Sequence, residues 1–332
     1  MIEQIKEIVA GAQRIVVLQA DNPDADSLGS ALALEQILSE QGKDVYLYCA
    51  VETPTYLRHL TGWSRVNQEI PSNFDASIIV DASTMTLFEK LTASGQQGWV
   101  AAKPCIVLDH HETSDNSINF ATVILNEPNK SSTGEVIYDL SQSLGWALDA
   151  VSGSSIMSSI LGDTQGLTNS LTTAQTYRIM AALTDLGVNR AILEEQRRES
   201  SKMAQVIFKY KAELMARTEF HADGKLALVT IPQAEINQYS PLYNPGPLVQ
   251  PDMLNTEGVL IGVVIKTYDD GKITGMIRCN PKAEIAGKLA KHFGGGGHGF
   301  AAGFKIVDGR SFSEVKSECI AYTTELLQGT PQ

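Results

Sequence analysis

The chain predicts an α/β fold of two domains: a larger N-terminal domain with a mostly parallel sheet flanked by helices, and a smaller C-terminal α/β domain. Two observations predict it. Along the first half, short apolar runs alternate with stretches of helical spacing, the rhythm of βαβ units. Three of those runs end in acidic or imidazole groups: Arg14–Gln19 leads into Asn22-Pro23-Asp24-Ala25-Asp26, Ser77–Val80 into Asp81, and Cys105–Leu108 into Asp109-His110-His111. Ligands of open α/β sheets bind outside the carboxyl ends of the strands, so these groups converge on one candidate site.

The elements follow in order. Met1–Ala10 carries Glu3, Lys6 and Glu7 among apolar residues, an amphipathic helix and not an export signal. Ser30–Gln41 has helical spacing through Leu32, Leu34, Ile37 and Leu38 and stops at Gly42, and Val45–Tyr48 is a short strand. Thr133–Leu144 and Ser154–Leu161 read as helices, the second followed by Gly162-Asp163-Thr164. The charged stretch Asn189–Thr218 keeps helical periodicity and reads as a connector, which sets domains at 1–187 and 221–332 joined by 188–220. Beyond it, Leu226–Ile231, Val259–Thr267 and Lys272–Arg278 are strand-like, with Asp269-Asp270-Gly271 as a hairpin turn. Ile285–Phe293 is a short helix before Gly294–Gly297 and His298. Gly299–Gly303 reads as a tightly packed helix start, and Phe312–Leu327 as a terminal helix. Pro241–Pro251, with four prolines, reads as a loop.

Composition narrows the function classes. At 332 residues the chain has room for two cores, and no apolar stretch approaches the length of a membrane span. The four cysteines (Cys49, Cys105, Cys279, Cys319) form no CxxC pair, which argues for reduced core thiols in a cytoplasmic protein and against structural zinc or disulfides. The net charge of −12 with no basic run argues against long nucleic acid and for short or small substrates.

Asp24 and Asp26, two apart after a strand, can each offer a carboxylate to one of two cations, with Asp81 between them and His110 and Asp163 completing a second site. Such oxygen and imidazole ligands suit Mn²⁺ or Mg²⁺, and two ions about 3.5–4 Å apart can activate water and brace a leaving oxygen. Taken singly, Asp24-Ala25-Asp26 is equally a capped turn and Asp81-Ala82-Ser83 an N-cap. Adjacent histidines after a buried strand are harder to assign to packing. The run Gly294–Gly297 is costly in backbone entropy and makes sense where amides approach an anion. Arg278, at a strand end, can pair with a phosphate.

Together these motifs resemble the DHH phosphoesterase superfamily, in the branch with a DHH-associated C-terminal domain and a GGGGH loop. The wording Asn22-Pro23-Asp24 resembles the nanoRNase and 3′-phosphoadenosine-5′-phosphate phosphatase group, which includes cyclic-dinucleotide phosphodiesterases. The resemblance implies hydrolysis of short oligonucleotides, dinucleotides or nucleotide bisphosphates by metal-activated water, with up to two Mn²⁺ (or Mg²⁺) ions held by Asp24, Asp26, Asp81, His110 and Asp163. His111 would contact the scissile phosphate with Asp109 supporting it. Arg278 with Gly295, Gly296, Gly297 and His298 would hold the nucleotide, in a cleft between the domains. The superfamily's single-strand exonucleases are usually longer, and its inorganic pyrophosphatases lack the glycine loop; because relatives include dimers, the resemblance allows a homodimer.

Two positions depart from the pattern. The family's first motif opens with a histidine four residues before the first aspartate, and here that position is Ala20. Water or Asp21 would then fill the gap, or one metal site is weakened, or the chain binds nucleotide without turnover. Gly166-Leu167-Thr168-Asn169 also stands where relatives often carry an aromatic residue and an arginine.

Overall fold

A computed structural model describes residues 1–111, 118–240 and 243–328. The chain forms two compact units, Met1–Lys202 and Met203–Gln332.

The first unit contains α1 (Ile2–Gly11), β1 (Arg14–Leu18), α2 (Ala25–Ser39), β2 (Asp44–Tyr48), β3 (Ala76–Val80), α3 (Glu89–Ala93), α4 (Gln97–Ala101), β4 (Cys105–Asp109), β5 (Val123–Asn126), α5 (Thr133–Leu144), α6 (Ala150–Asp163), α7 (Ala174–Asp185) and α8 (Arg190–Ser200). Its five strands are all parallel, in the order β2-β1-β3-β4-β5. Both faces are covered, as parallel sheets require. Ile15, Val17, Ile78, Val80, Ile106 and Leu108 point to one face, into a core shared with α1, α2, α5, α6 and α7. Val16, Leu18, Ile79 and Val107 point to the other, against Phe88, Leu91 and Val100. This double burial makes the strands read as continuous apolar runs and not as alternating ones.

Both principal helices begin earlier than their periodicity suggests, because their starts are written in caps. Asp24 and Asp149 each make a capping box with the serine three residues on (Ser27, Ser152). α2 and α6 then cross very closely. A Cβ on Gly29 would lie 2.7 Å from Ser155 O, and one on Gly162 would lie 2.7 Å from the Ala25 Cβ.

The second unit contains α9 (Gln205–Ala216), β6 (Glu219–His221), β7 (Leu226–Pro232), α10 (Gln233–Tyr239), α11 (Pro245–Leu254), β8 (Ile261–Thr267), β9 (Ile273–Cys279), α12 (Ala286–His292), β10 (Gly296–Gly297), β11 (Ala301–Ile306) and α13 (Phe312–Gln328). Its six strands run β10-β11-β9-β8-β7-β6, with β7 and β8 parallel and the other pairs antiparallel. The helical stretch read from 189 to 218 is two helices, α8 in the first unit and α9 in the second.

Two expectations fail here. The proline-rich stretch is not a loop: from Pro245 to Leu254 it is helix α11, while Pro241 lies outside the described residues. Asn244 caps it through Gly246 N, Pro245 sits at the first helical position and Pro247 in the first turn, where the missing N–H groups would have no intrahelical acceptor anyway. Only Pro251 removes an internal hydrogen bond. Nor is Gly299–Gly303 a helix start, because Ala301–Ile306 is strand β11. Its small residues admit the close hairpin partner β10 and the neighbouring strand β9.

Among the described residues no helix is long and apolar enough to cross a membrane. We predict that Gly29→Val, which forces α2 off α6, lowers unfolding stability by about 1–3 kcal/mol. Gly11→Ala, at a helix end with nothing within 4 Å of the new methyl, raises it by about 0.5 kcal/mol. Urea unfolding of both variants checks the pair, and equal effects would refute the close-crossing account.

Candidate active site

Strand order reverses at β1, which lies between β2 and β3, and the predicted acidic groups collect beyond the carboxyl ends of β1, β3 and β4. Asp26, in the first turn of α2, is fully buried. Its Oδ2 accepts from Thr133 N at 2.8 Å, and its Oδ1 accepts from Ser159 Oγ at 2.6 Å, Ser30 Oγ at 3.0 Å and Gly134 N at 3.3 Å. Thr133 and Gly134 open α5, so a carboxylate from one helix terminates another, where backbone N–H groups and the helix dipole favour an anion.

Asp81 follows β3 in a left-handed conformation (φ 58°), strained for a residue with a Cβ. Its N–H continues the ladder to Leu108 O at 2.9 Å, and its Oδ1 accepts from Thr133 Oγ1 at 3.2 Å. His110, just beyond β4, donates from Nδ1 to Lys130 O at 3.3 Å. That bond leaves Nε2 as the nitrogen turned to the acidic groups, the one that carries the proton in the absence of a cation and is free to ligate once the proton leaves. Nε2 is buried without a hydrogen-bond partner, yet lies 3.0 Å from Asp163 Oδ2, 3.4 Å from Asp26 Oδ2 and 3.6 Å from Asp81 Oδ1, outside hydrogen-bond alignment. A buried imidazole held by a carbonyl at one nitrogen and facing three carboxylates with the other is how proteins present histidine to a metal. Asp26, His110 and Asp163 thus fit a divalent cation, with Asp81 adjoining them.

Asp24 is placed differently. It is exposed, and its Oδ1 caps α2 through Ser27 N at 3.0 Å; its charge still reaches Asp81. Ala20 is buried in the apolar cluster around Phe88. Asp21 Oδ2 accepts from Lys90 N at 2.8 Å, while its Oδ1 is buried without a hydrogen-bond partner.

Asp109 is fully buried, and its Oδ1 accepts from His111 Nδ1 at 2.8 Å, His110 N at 2.8 Å and His111 N at 3.2 Å. His111 is exposed at the rim. The shared Asp109 hydrogen bond raises its pKa above the ordinary histidine value, against the opposing effect of burial.

In the second unit Arg278 pairs across the sheet with Ala301, whose carbonyl accepts from His298 N at 2.8 Å. The structure thus brings Arg278 and His298 to one end of that sheet. Both are exposed, and among the described residues neither side chain has a hydrogen-bond or ion-pair partner. Packing accounts for three of the four glycines before His298. Gly294 (φ 75°) ends α12 in a left-handed cap, with Gly294 N and Gly295 N donating to Lys291 O and Ala290 O. Cβ atoms on Gly295 and Gly297 would collide with the β11 backbone, whereas Gly296 faces open space.

Sequence reasoning missed Ser30, Thr133, Gly134 and Ser159, the donors that hold Asp26. The capping pattern Ser132-Thr133-Gly134-Glu135 announced the start of α5, but nothing in it said that its amides face an aspartate from another helix.

Without a cation the cluster is electrostatically costly. Burial, then the charge of Asp163, raises the Asp26 pKa, and burial with Asp26 and Asp24 raises Asp81 well above the usual carboxylate value. Burial disfavours a charged His110, but Asp163 and Asp26 outweigh it and push the imidazole up to about 9. At neutral pH the metal-free protein therefore carries a proton on His110 that a bound cation must expel. We predict that Mn²⁺ binding releases protons and that affinity rises with pH, flattening above about 9. Calorimetric titrations in buffers of different ionisation enthalpy read this directly, and binding without proton release contradicts it. Ser159→Ala, which removes one of the three donors to Asp26 Oδ1, should weaken cation affinity by about tenfold.

Comparison with known proteins gives the family and the fold. The family model described as the DHH family, N-terminal domain, matches residues 14–178, and that described as the DHHA1 domain matches residues 248–325. A bifunctional oligoribonuclease and PAP phosphatase, NrnA, of Thermus thermophilus is 24% identical over 85% of this chain and 81% of its own. The crystal structure of an exopolyphosphatase-related protein from Bacteroides fragilis superposes with a TM-score of 0.80 at 20% identity, covering 98% of this chain and 97% of the other. That of RecJ from Thermus thermophilus in complex with Mn²⁺ gives 0.54 at 17% identity, with 98% of this chain covering 54% of the exonuclease. With its strand-end acidic groups and paired histidines in the first matched region and its glycine loop in the second, the chain belongs to the DHH superfamily, in the branch that carries a DHHA1 domain.

Proposed function

We propose that the protein is a metal-dependent phosphoesterase that hydrolyses short oligonucleotides, dinucleotides or nucleotide bisphosphates with Mn²⁺ or Mg²⁺. The observation that carries this reading is the buried, unpartnered Nε2 of His110 facing Asp26, Asp81 and Asp163, with the raised-pKa imidazole of His111 at the rim beside them. A divalent cation supplies a lowered water pKa and charge neutralisation at the phosphate. Asp26, Asp81, His110 and Asp163 would hold it, with Asp24 as a further oxygen donor.

The chain's own groups do the rest. Asp109 fixes the His111 ring and favours its protonated form, whose outer nitrogen would donate to the scissile phosphate or leaving oxygen, a general-acid role. Arg278 and His298, with Gly295–Gly297, engage a nucleotide phosphate or base. The sequence relative NrnA, named as an oligoribonuclease and PAP phosphatase, supports the substrate class.

One observation favours a second reading, a nucleotide-binding protein with little turnover. Ala20, which stands where the family carries a metal-ligating histidine, lies in an apolar cluster, and Asp21 beside it gives one of its two oxygens to Lys90 N. A panel of pApA, 3′-phosphoadenosine-5′-phosphate, cyclic di-AMP and pyrophosphate, assayed with and without Mn²⁺, separates the two. We expect Mn²⁺-dependent release from at least one nucleotide and its loss in Asp81→Ala. Turnover by Asp81→Ala overturns the catalytic assignment. Nucleotide bound without turnover establishes the second reading.

A further inference from the structure

A groove of about 900 Å³ lies in the first unit between α8, the far end of α6 and the turn at Tyr56–Leu57. Its floor includes Ala25 and Gly162. Ala25 stands between Asp24 and Asp26 in the chain, and Gly162 precedes Asp163, so the groove opens one residue away from the metal-ligand candidates. Its outer wall carries Arg190, Arg197 and Arg198. This is a local reversal of sign in a chain of net charge −12. The guanidiniums are accessible: the Arg197 and Arg198 side chains are 56% and 74% exposed. Their only anionic partner among the described residues is Glu194, three and four residues away on the same helix face. Arg190 has a single long bond, 3.4 Å to Gly166 O. Glu194 holds Arg197 through two bonds of 2.8 Å and Arg198 through one of 2.7 Å, so one carboxylate is shared by two exposed guanidiniums and a phosphate competes with a single, solvent-screened charge. Leu161, Leu193 and the exposed Tyr56 supply apolar surface for a base or ribose.

We propose that this groove binds the sugar–phosphate backbone of a short single-stranded oligonucleotide beyond the scissile phosphate, with Arg190, Arg197 and Arg198 on its phosphates. The assignment rests on the phosphoesterase reading and extends it to substrate length. Arg190 and Arg197 are about 10 Å apart along the helix axis, so the wall spans more than one phosphate. A dinucleotide cleaved at the metal cluster has little left to place there, whereas a tetranucleotide does.

The test is fluorescence anisotropy of a labelled tetranucleotide and a labelled dinucleotide in EDTA, where no hydrolysis occurs. In the doubly substituted Arg197→Gln/Arg198→Gln protein, the tetranucleotide Kd rises by about tenfold and the dinucleotide Kd by less than about twofold, with a shallower salt dependence for the longer ligand. Glu194→Gln tightens tetranucleotide binding, a gain that a merely structural role for the helix would not produce. An equal loss for both lengths, weaker binding in Glu194→Gln, or no measurable tetranucleotide binding by the unsubstituted protein overturns the proposal. Tetranucleotide bound in this length-dependent way but never hydrolysed with Mn²⁺ defeats the phosphoesterase reading and leaves the groove standing. Hydrolysis with an unmoved Kd in the arginine variants defeats the groove alone.

Discussion

The arrangement of the first unit depends on one buried anion. Asp26 has no access to water, and an isolated carboxylate there would be prohibitively unstable. Two amides of α5 and two serine hydroxyls solvate it instead. That solvation requires α2, α5 and α6 to approach one another closely, and the chain supplies small residues where they do. A Cβ on Gly134 would collide with the Ser159 side chain, and one on Gly29 with the α6 backbone. The same closeness sets Asp163, the last residue of α6, beside His110 at the end of β4. Helix packing and site geometry are therefore a single problem with a single solution.

Around that anion the charges are poised and not relaxed. Asp163 raises the proton affinity of Asp26, Asp26 and Asp163 raise that of Asp81, and Asp81 holds a left-handed backbone to reach its place. Strain and like-charge crowding persist only where the surrounding structure over-determines them, and a cation converts the repulsion into ligation. Asp109 is the contrasting case. It is as buried as Asp26, yet its bonds to His111 hold its pKa low despite burial, and it orients a ring instead of facing other acids.

The second unit uses glycine for a different end. Its glycine run closes α12 and lets β10 lie against β11, and this packing leaves Arg278 and His298 exposed at one end of the sheet with no partner among the described residues. In both units, then, close backbone approach positions the polar groups that remain available for a ligand.

The sequence by itself determined the sheet order's raw material and the identity of the acidic and imidazole groups, because each lies within a few residues of the apolar run that carries it and the period of that run is a local property. It also marked Ala20 as a departure. Only the tertiary structure decided what each group does. Asp24 and Asp26 are indistinguishable as a pair, yet one caps its own helix at the surface and the other is buried on the end of a helix more than a hundred residues away. Ser30 lies one turn from Asp26, but Thr133, Gly134 and Ser159 became its ligands only through helix packing. Four prolines read as a loop because the pattern shows the missing donors, while the fold places two of them in the first turn, where donors are not needed. The physical reason is common to all three. Residue type fixes which interactions a group can make, and long-range packing alone chooses which of them are satisfied.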